Sequence, residues 1–183
     1  GHGQSIDVSM LEGQLSLLGQ MVGAYLADRE HPEPMGTAYK ALLPYQTFRT
    51  RTRDLALAVG SEKLWKAFCP AIGCPELAAD PRYRTNADRA RNRDSLIAVL
   101  QEVFLAKSYE EWETLLLATG IPMGAINTIA QVVEHPQVLA RGTLVDMDHP
   151  RAGKVRMVGA PVRLSATPGA VRTPAPMLGE HTD

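Results

Sequence analysis

The stretch from Leu43 to Trp65, LPYQTFRTRTRDLALAVGSEKLW, constrains the fold more than any other, because two alternating runs flank a polar segment and lead straight into a helix. Tyr45, Gln46, Thr47 and Phe48 alternate and are rich in aromatic and β-branched types. Leu55, Leu57 and Val59 share one face at period two, with Ala56 and Ala58 on the other. This predicts an antiparallel β-hairpin. Arg49 to Asp54 holds three arginines and no apolar residue, which predicts a solvated loop. Gly60-Ser61 then turns the chain, so that Ser61 caps a helix whose Leu64, Phe68 and Ile72 recur at i, i+4, i+8 and pack back on the sheet.

Towards the N-terminus, GHGQ reads as a turn and Ile6, Val8 and Met10 as a short strand. Ser9 with Glu12 forms a capping-box pattern that opens one long helix. Leu11, Leu15, Leu18, Val22 and Leu26 make its apolar stripe, and His31-Pro32-Glu33-Pro34 ends it. Met35 to Leu42 is a connector with Gly36 as its pivot. Beyond the nucleus, a short helix is expected over Glu76–Ala79. Arg82 to Arg93 reads as a polar segment whose arginines form a solvated rim. Leu96, Val99, Leu100, Val103 and Phe104 mark a helix within Asp94–Lys107. Ser108 with Glu111, and Thr128 with Gln131, repeat the capping pattern, and Gly120 supplies a stop. From Leu144 onward short alternating runs broken by Pro150, Gly153, Gly159 and Pro161 predict strands, followed by an extended proline-containing tail.

Nineteen basic and twenty acidic residues leave a formal net charge of −1, with the arginines scattered among acids, which argues against a nucleic-acid partner. A hydrophobic content of 45% suits a chain that buries a core, and no run reaches the length of a membrane span. Cys69 and Cys74 have no further cysteine or close histidine pair to complete a zinc set. They read as reduced thiols of a cytoplasmic protein. His2, His31, His135, His149 and His181 are isolated, so no metal is expected, and no GxGxxG or GxxxxGK[ST] loop offers a nucleotide cradle. Asp7 and Asp54 read as turn formers. Glu62, in the first turn of its helix, is favourably placed against the helix dipole.

GHGQSIDVSMLEG, PYQTFRT, LALAVGSEKLW, DPRYRTNADRARNRDSL, EWETLL, GIPMGAINTIAQVVEHPQVLAR, GAPVRLSATPG and LGEHT, in this order over the whole chain, resemble the family III CoA-transferases. That group includes formyl-CoA transferase, carnitine CoA-transferases and the α-methylacyl-CoA racemases. The resemblance implies cytosolic homodimers of interlocked ring-like chains, each with a large Rossmann-like domain and a small one. On this basis the chain is α+β: residues 1–35 carry a strand and a long linking helix, 36–145 form the small domain, with antiparallel strands and packed helices, and 146–183 form an extended return segment toward the large domain.

The resemblance also implies that CoA moves between carboxylic acids through an aspartyl-CoA thioester, with acyl-CoA as substrate and no tightly bound cofactor. The family aspartate would lie upstream of Gly1, so no catalytic residue is expected within the chain, which is expected to begin and end in mid-fold and to act with a second copy or with a partner carrying the N-terminal half. Two positions stand next to the site. Gly36 is the only glycine where many transferases have a glycine-rich loop over the acyl intermediate, and Glu62 is the nearest match to an acid of the racemase proton-transfer region. A racemase portion, or a non-catalytic interaction module from a split gene, are the alternatives.

Overall fold

The hydroxyl of Ser9 accepts from the Glu12 N–H and opens helix α1 (Met10–Leu17), as the Ser9–Glu12 spacing predicts. The single long helix does not form. At Leu18 (φ −89°, ψ 10°) the backbone leaves helical geometry, Gly19 follows, and α2 (Gly19–Asp28) starts afresh. A glycine gives little helical propensity with which to bridge the break. Arg29 takes a left-handed conformation (φ 62°) with its N–H on the Tyr25 carbonyl, so α2 stops ahead of the His31–Pro34 breaker. The expected strand at Ile6–Met10 is also absent. Residues 2–9 are neither strand nor helix, and Ile6 and Val8 are exposed, because alternation makes a strand only where a partner supplies the ladder. This computed structural model describes residues 2–182; the predicted GHGQ turn begins at Gly1, outside them.

Strands β1 (Tyr45–Arg49) and β2 (Asp54–Ala58) pair antiparallel, Tyr45 opposite Ala58 and Arg49 opposite Asp54. Phe48, Leu55, Leu57 and Val59 are all buried, and this is the face the alternation picks out. Helix α3 (Glu62–Ala71) begins on the Ser61 cap and buries Trp65, Phe68 and Cys69, with Ile72 just beyond. Leu64 is only half-buried, since the inward face is centred on Trp65 and Phe68. The chain continues through α4 (Glu76–Ala79), α5 (Asn86–Arg91), α6 (Arg93–Leu105) and α7 (Tyr109–Leu117), and β3 (Met123–Ala125) extends the sheet in the order β1-β2-β3.

Phe104 of α6 is the centre of the core. Its ring lies 4.9 Å from Phe48, 6.3 Å from Phe68 and 5.2 Å, edge on, from Trp112 of α7. Helix-borne and strand-borne aromatics thus share one buried cluster, whose burial and ring contacts stabilise the first unit. Trp112 Nε1 donates to the Phe104 carbonyl (3.0 Å), which satisfies the polar edge of a buried indole.

Two expectations about arginines fail. The hairpin tip is not simply solvated. The Arg51 N–H reaches the Lys107 carbonyl (3.0 Å), Thr52 Oγ1 accepts from the first N–H of α7 at Tyr109 (3.0 Å), and Arg53 lies over the Tyr109 ring at 4.2 Å. The exposed N-terminal N–H groups and acids of α7 attract the tip. Nor are the arginines of residues 82–93 all a rim. Thr85 and Asp88 form a capping box that starts α5, and Arg89 on that helix is fully buried.

A second compact unit begins at Ala125. It holds α8 (Ile129–Glu134) on its Thr128–Gln131 capping box, α9 (Pro136–Ala140), and an antiparallel hairpin of β4 (Leu144–His149) and β5 (Gly153–Val158). An extended tail follows. Mixed helices and antiparallel strands make the chain α+β, as the family resemblance implies.

Candidate functional site

The connector that precedes β1 is fixed to β1 and α5 at three places. Thr37 Oγ1 lies 2.7 Å from Thr47 Oγ1 and accepts from the Thr47 N–H (3.1 Å); the Tyr39 N–H donates to the Tyr45 carbonyl (3.0 Å). The third place is its C-terminal end. There Asn86 Nδ2 donates to the Ala41 carbonyl (2.7 Å), Asn86 Oδ1 accepts from the Leu43 N–H (3.0 Å), and Arg89 Nε donates to the Leu43 carbonyl (2.8 Å).

Arg89 is tied down in turn. Its Nη1 donates to Glu62 Oε2 (2.9 Å) and to the Tyr83 carbonyl (3.1 Å), and its guanidinium stacks over the Trp65 ring at 4.8 Å. Glu62 Oε1 accepts the Asn86 N–H at 2.7 Å, so both oxygens of this carboxylate are engaged. Partial burial pushes the Glu62 carboxyl up, but the hydrogen bonds from Arg89 and Asn86, together with the Arg89 charge, outweigh it and hold the group below the usual carboxylate range.

In front of this network lies a groove of about 710 Å³. Met21 and Tyr25 of α2 form one wall, Met35, Gly36 and Tyr39 of the connector the other, and Ala90, the neighbour of Arg89, part of its lining. Gly36 sits at φ 62°, where a side chain would be strained, so glycine lets the connector turn into the groove. Tyr39 Oη is hydrogen-bonded to Gln20 Nε2, joining the walls. At the rim Lys40 pairs with Glu30 (2.9 Å), whose hydrogen bond and charge raise the ammonium pKa.

Gly36 therefore lines the groove, whereas Glu62 lies behind it and holds the helix that carries Ala90. Asp7 and Asp54 are exposed, and neither lines the groove. Arg89, Asn86 and Tyr39 escaped the sequence reading. The Thr85–Asp88 spacing was the available signal for α5, and hence for the placement of Asn86 and Arg89. Among the described residues no group of His, Cys, Asp and Glu could hold a metal, and no helix is long and apolar enough to cross a membrane. Chemically, the groove offers an apolar surface that is open to solvent on one side, with Met21 and Ala90 exposed. Of its three acids, Asp28 and Glu30 are engaged, by the Glu30 N–H and by Lys40, and Glu33 is exposed.

Comparison with known proteins matches residues 1–182 to the family model CoA-transferase family III. Succinyl-CoA:glutarate CoA-transferase of Mus musculus is 35% identical over 182 residues, covering 100% of this chain and 42% of that protein. Acetyl-CoA:oxalate CoA-transferase of Acetobacter aceti is 33% identical, covering 99% of this chain and 46% of that one. The crystal structure of a CAIB/BAIF family protein from Brucella suis superposes with a TM-score of 0.79 at 32% identity, over 98% of this chain and 46% of the other. The chain thus spans less than half the length of the relatives it matches. With a family model matched over its described length and a solved family structure sharing its fold, this chain belongs to CoA-transferase family III.

Proposed function

We propose that these 183 residues form part of a CoA-transferase and contribute a wall of the cleft in which CoA passes from an acyl-CoA to a carboxylic acid. The observation that carries this reading is the family match over residues 1–182, with transferases among the relatives. The nucleophilic aspartate is supplied by polypeptide outside these residues. It attacks the thioester carbonyl to give a mixed anhydride, releasing CoA thiolate. The thiolate then attacks the aspartyl carbonyl of the anhydride, freeing the donor acid and leaving an aspartyl-CoA thioester. The acceptor carboxylate repeats the two steps in reverse order. Water would hydrolyse the anhydride, so the cleft must be dry, a condition that the apolar groove wall at Met21, Tyr25 and Met35 suits.

Residues 36–145 act as the small domain of this enzyme, which works in the cytoplasm as a homodimer or together with a partner carrying the rest of the fold. The exposed apolar residues of α1 and α2, among them Leu11, Leu15 and Met21, support such an association. A transferase is favoured over a racemase because both oxygens of Glu62 are engaged, whereas a racemase acid or base must be free to exchange a proton with the α-carbon.

The test is exchange of labelled CoA from succinyl-CoA to glutarate or oxalate. Three samples are compared: this chain alone, this chain mixed with a segment bearing the family aspartate, and the same mixture with that aspartate replaced by alanine. Turnover is expected only in the second. Turnover by the lone chain overturns the placement of the nucleophile, and no turnover in any sample overturns the transferase reading.

A further inference from the structure

We propose that Arg89 is a positioning residue for the cleft: together with Asn86 it clamps Ala41 and Leu43, and so fixes where the connector stands as a groove wall. The proposal rests on the transferase reading for its purpose and on the geometry alone for the clamp. Two other attachments of the connector, at Thr37 and Tyr39, both run to β1, at Thr47 and Tyr45. Its ties to helices are the hydrogen bond between Tyr39 Oη and Gln20 of α2 and, at Ala41 and Leu43, the hydrogen bonds to Asn86 and Arg89 of α5.

The arrangement has the economy of one short helix facing two ways. Arg89 points inward, with its side chain only 1% exposed, and serves Leu43, Tyr83 and Glu62 at once; Ala90, the next residue, lines the groove. Connector and helix α5 therefore move as one body. A lysine at position 89 keeps the charge but offers a single ammonium, which cannot reproduce the planar guanidinium's simultaneous donation to a carbonyl and a carboxylate while it stacks on Trp65. Asn86 is equally demanding, because its amide both donates to Ala41 and accepts from Leu43. Aspartate at that position loses the donor and keeps the acceptor.

The experiment measures hydrogen exchange and steady-state kinetics in the complete enzyme, comparing wild type with Arg89→Lys and Asn86→Asp. Amides of residues 37–43 should exchange about tenfold faster or more in both variants, while those of α6 and α7 keep wild-type protection. The KM for acyl-CoA should rise about tenfold per folded enzyme. A role confined to stability lowers only the active fraction, and hence kcat, and leaves KM in place. Unchanged exchange over 37–43 in a folded variant overturns the clamp; if Arg89→Lys does not fold, Asn86→Asp decides. Faster exchange with an unchanged KM overturns the role at the cleft. A wild-type enzyme that transfers no CoA overturns the transferase reading and, with it, the cleft role, while the exchange data still decide the clamp.

Discussion

Glu62 and Arg89 meet at 2.9 Å across the boundary between solvent and core: the arginine side chain is 1% exposed and the glutamate side chain 47%. The pair is asymmetric in consequence. Removing the carboxylate strands a buried cation, whereas the carboxylate itself would lose little by returning to water. Glu62→Gln should therefore destabilise the first unit by about 1–2 kcal/mol, less than the roughly 3–5 kcal/mol for severing a fully buried pair, because water reaches the glutamate. The sign with pH follows from the depressed carboxyl. The stabilisation is present above the unfolded-state value of about 4.3 and is lost as pH falls through the lower folded-state value. Urea unfolding of wild type and Glu62→Gln should differ at pH 7 and converge at low pH. A gap that persists unchanged below both values would mean the charge is not its source.

Val99 and Phe104 belong to the same sequence-defined apolar face of α6, yet the structure separates them: Phe104 is fully buried and Val99 is 40% exposed. Phe104→Ala should cost about 3–5 kcal/mol, because it removes the ring shared by Phe48, Phe68 and Trp112 and leaves a cavity. Val99→Ala should stay within about 0.5 kcal/mol. Thermal unfolding followed by circular dichroism measures both, and comparable losses would show that the core is centred elsewhere.

The contrast shows which parts of the fold are legible in sequence. Features set by neighbours along the chain are readable: the hairpin at Tyr45–Ala58, the caps at Ser61, Ser108 and Thr128, and the stop at Gly120 all form where their spacing predicts. Features set by a distant partner are not. Nothing local distinguishes Arg89 from Arg82, Arg84, Arg91 or Arg93. Its burial depends on Leu43 and Glu62, each more than twenty residues away in sequence. The alternation of Ile6 and Val8 is a true strand pattern that finds no ladder partner among the described residues, and so remains without strand structure. At the site, Gly36 could be picked out as the only glycine in its connector, but the groove it turns into is made by α2 and α5, which sequence could not bring together.

Two of the contacts that the hairpin tip makes with α7 are of unequal worth. Thr52 Oγ1 accepts from the Tyr109 N–H and donates to Glu110 Oε2 (3.2 Å), so it caps α7 from outside the helix. The neighbouring Arg51–Glu111 pair (2.8 Å) is largely exposed on both sides. Thr52→Val, isosteric but without the acceptor, should cost about 1 kcal/mol. Arg51→Ala should cost less than Thr52→Val, and that small effect should vanish in high salt. Denaturant midpoints at low and high ionic strength separate the two. A larger loss for Arg51→Ala would show that the ion pair, not the hydroxyl, docks the tip.

Cys69 and Cys74 report on the same core by their chemistry. Cys69 lies wholly buried on the inner face of α3, and burial pushes its thiol up to about 12, although the nearby Arg89 charge pulls the other way. Cys74 is half-buried, and desolvation with the Glu76 charge raises its pKa as well. Since the thiolate is the reactive form, both cysteines should label more slowly than a free thiol near pH 7.5. The two should still differ. Cys74 should react in the folded protein, whereas Cys69 should react only at the rate at which the first unit opens, and denaturant should accelerate Cys69 far more than Cys74. Mass spectrometry of labelled peptides over time assigns each rate. Because Arg89 stacks on Trp65, which shares α3 with Cys69, Arg89→Lys should raise the Cys69 rate if loosening the clamp also loosens the core; an unchanged rate would confine the effect of the clamp to the connector.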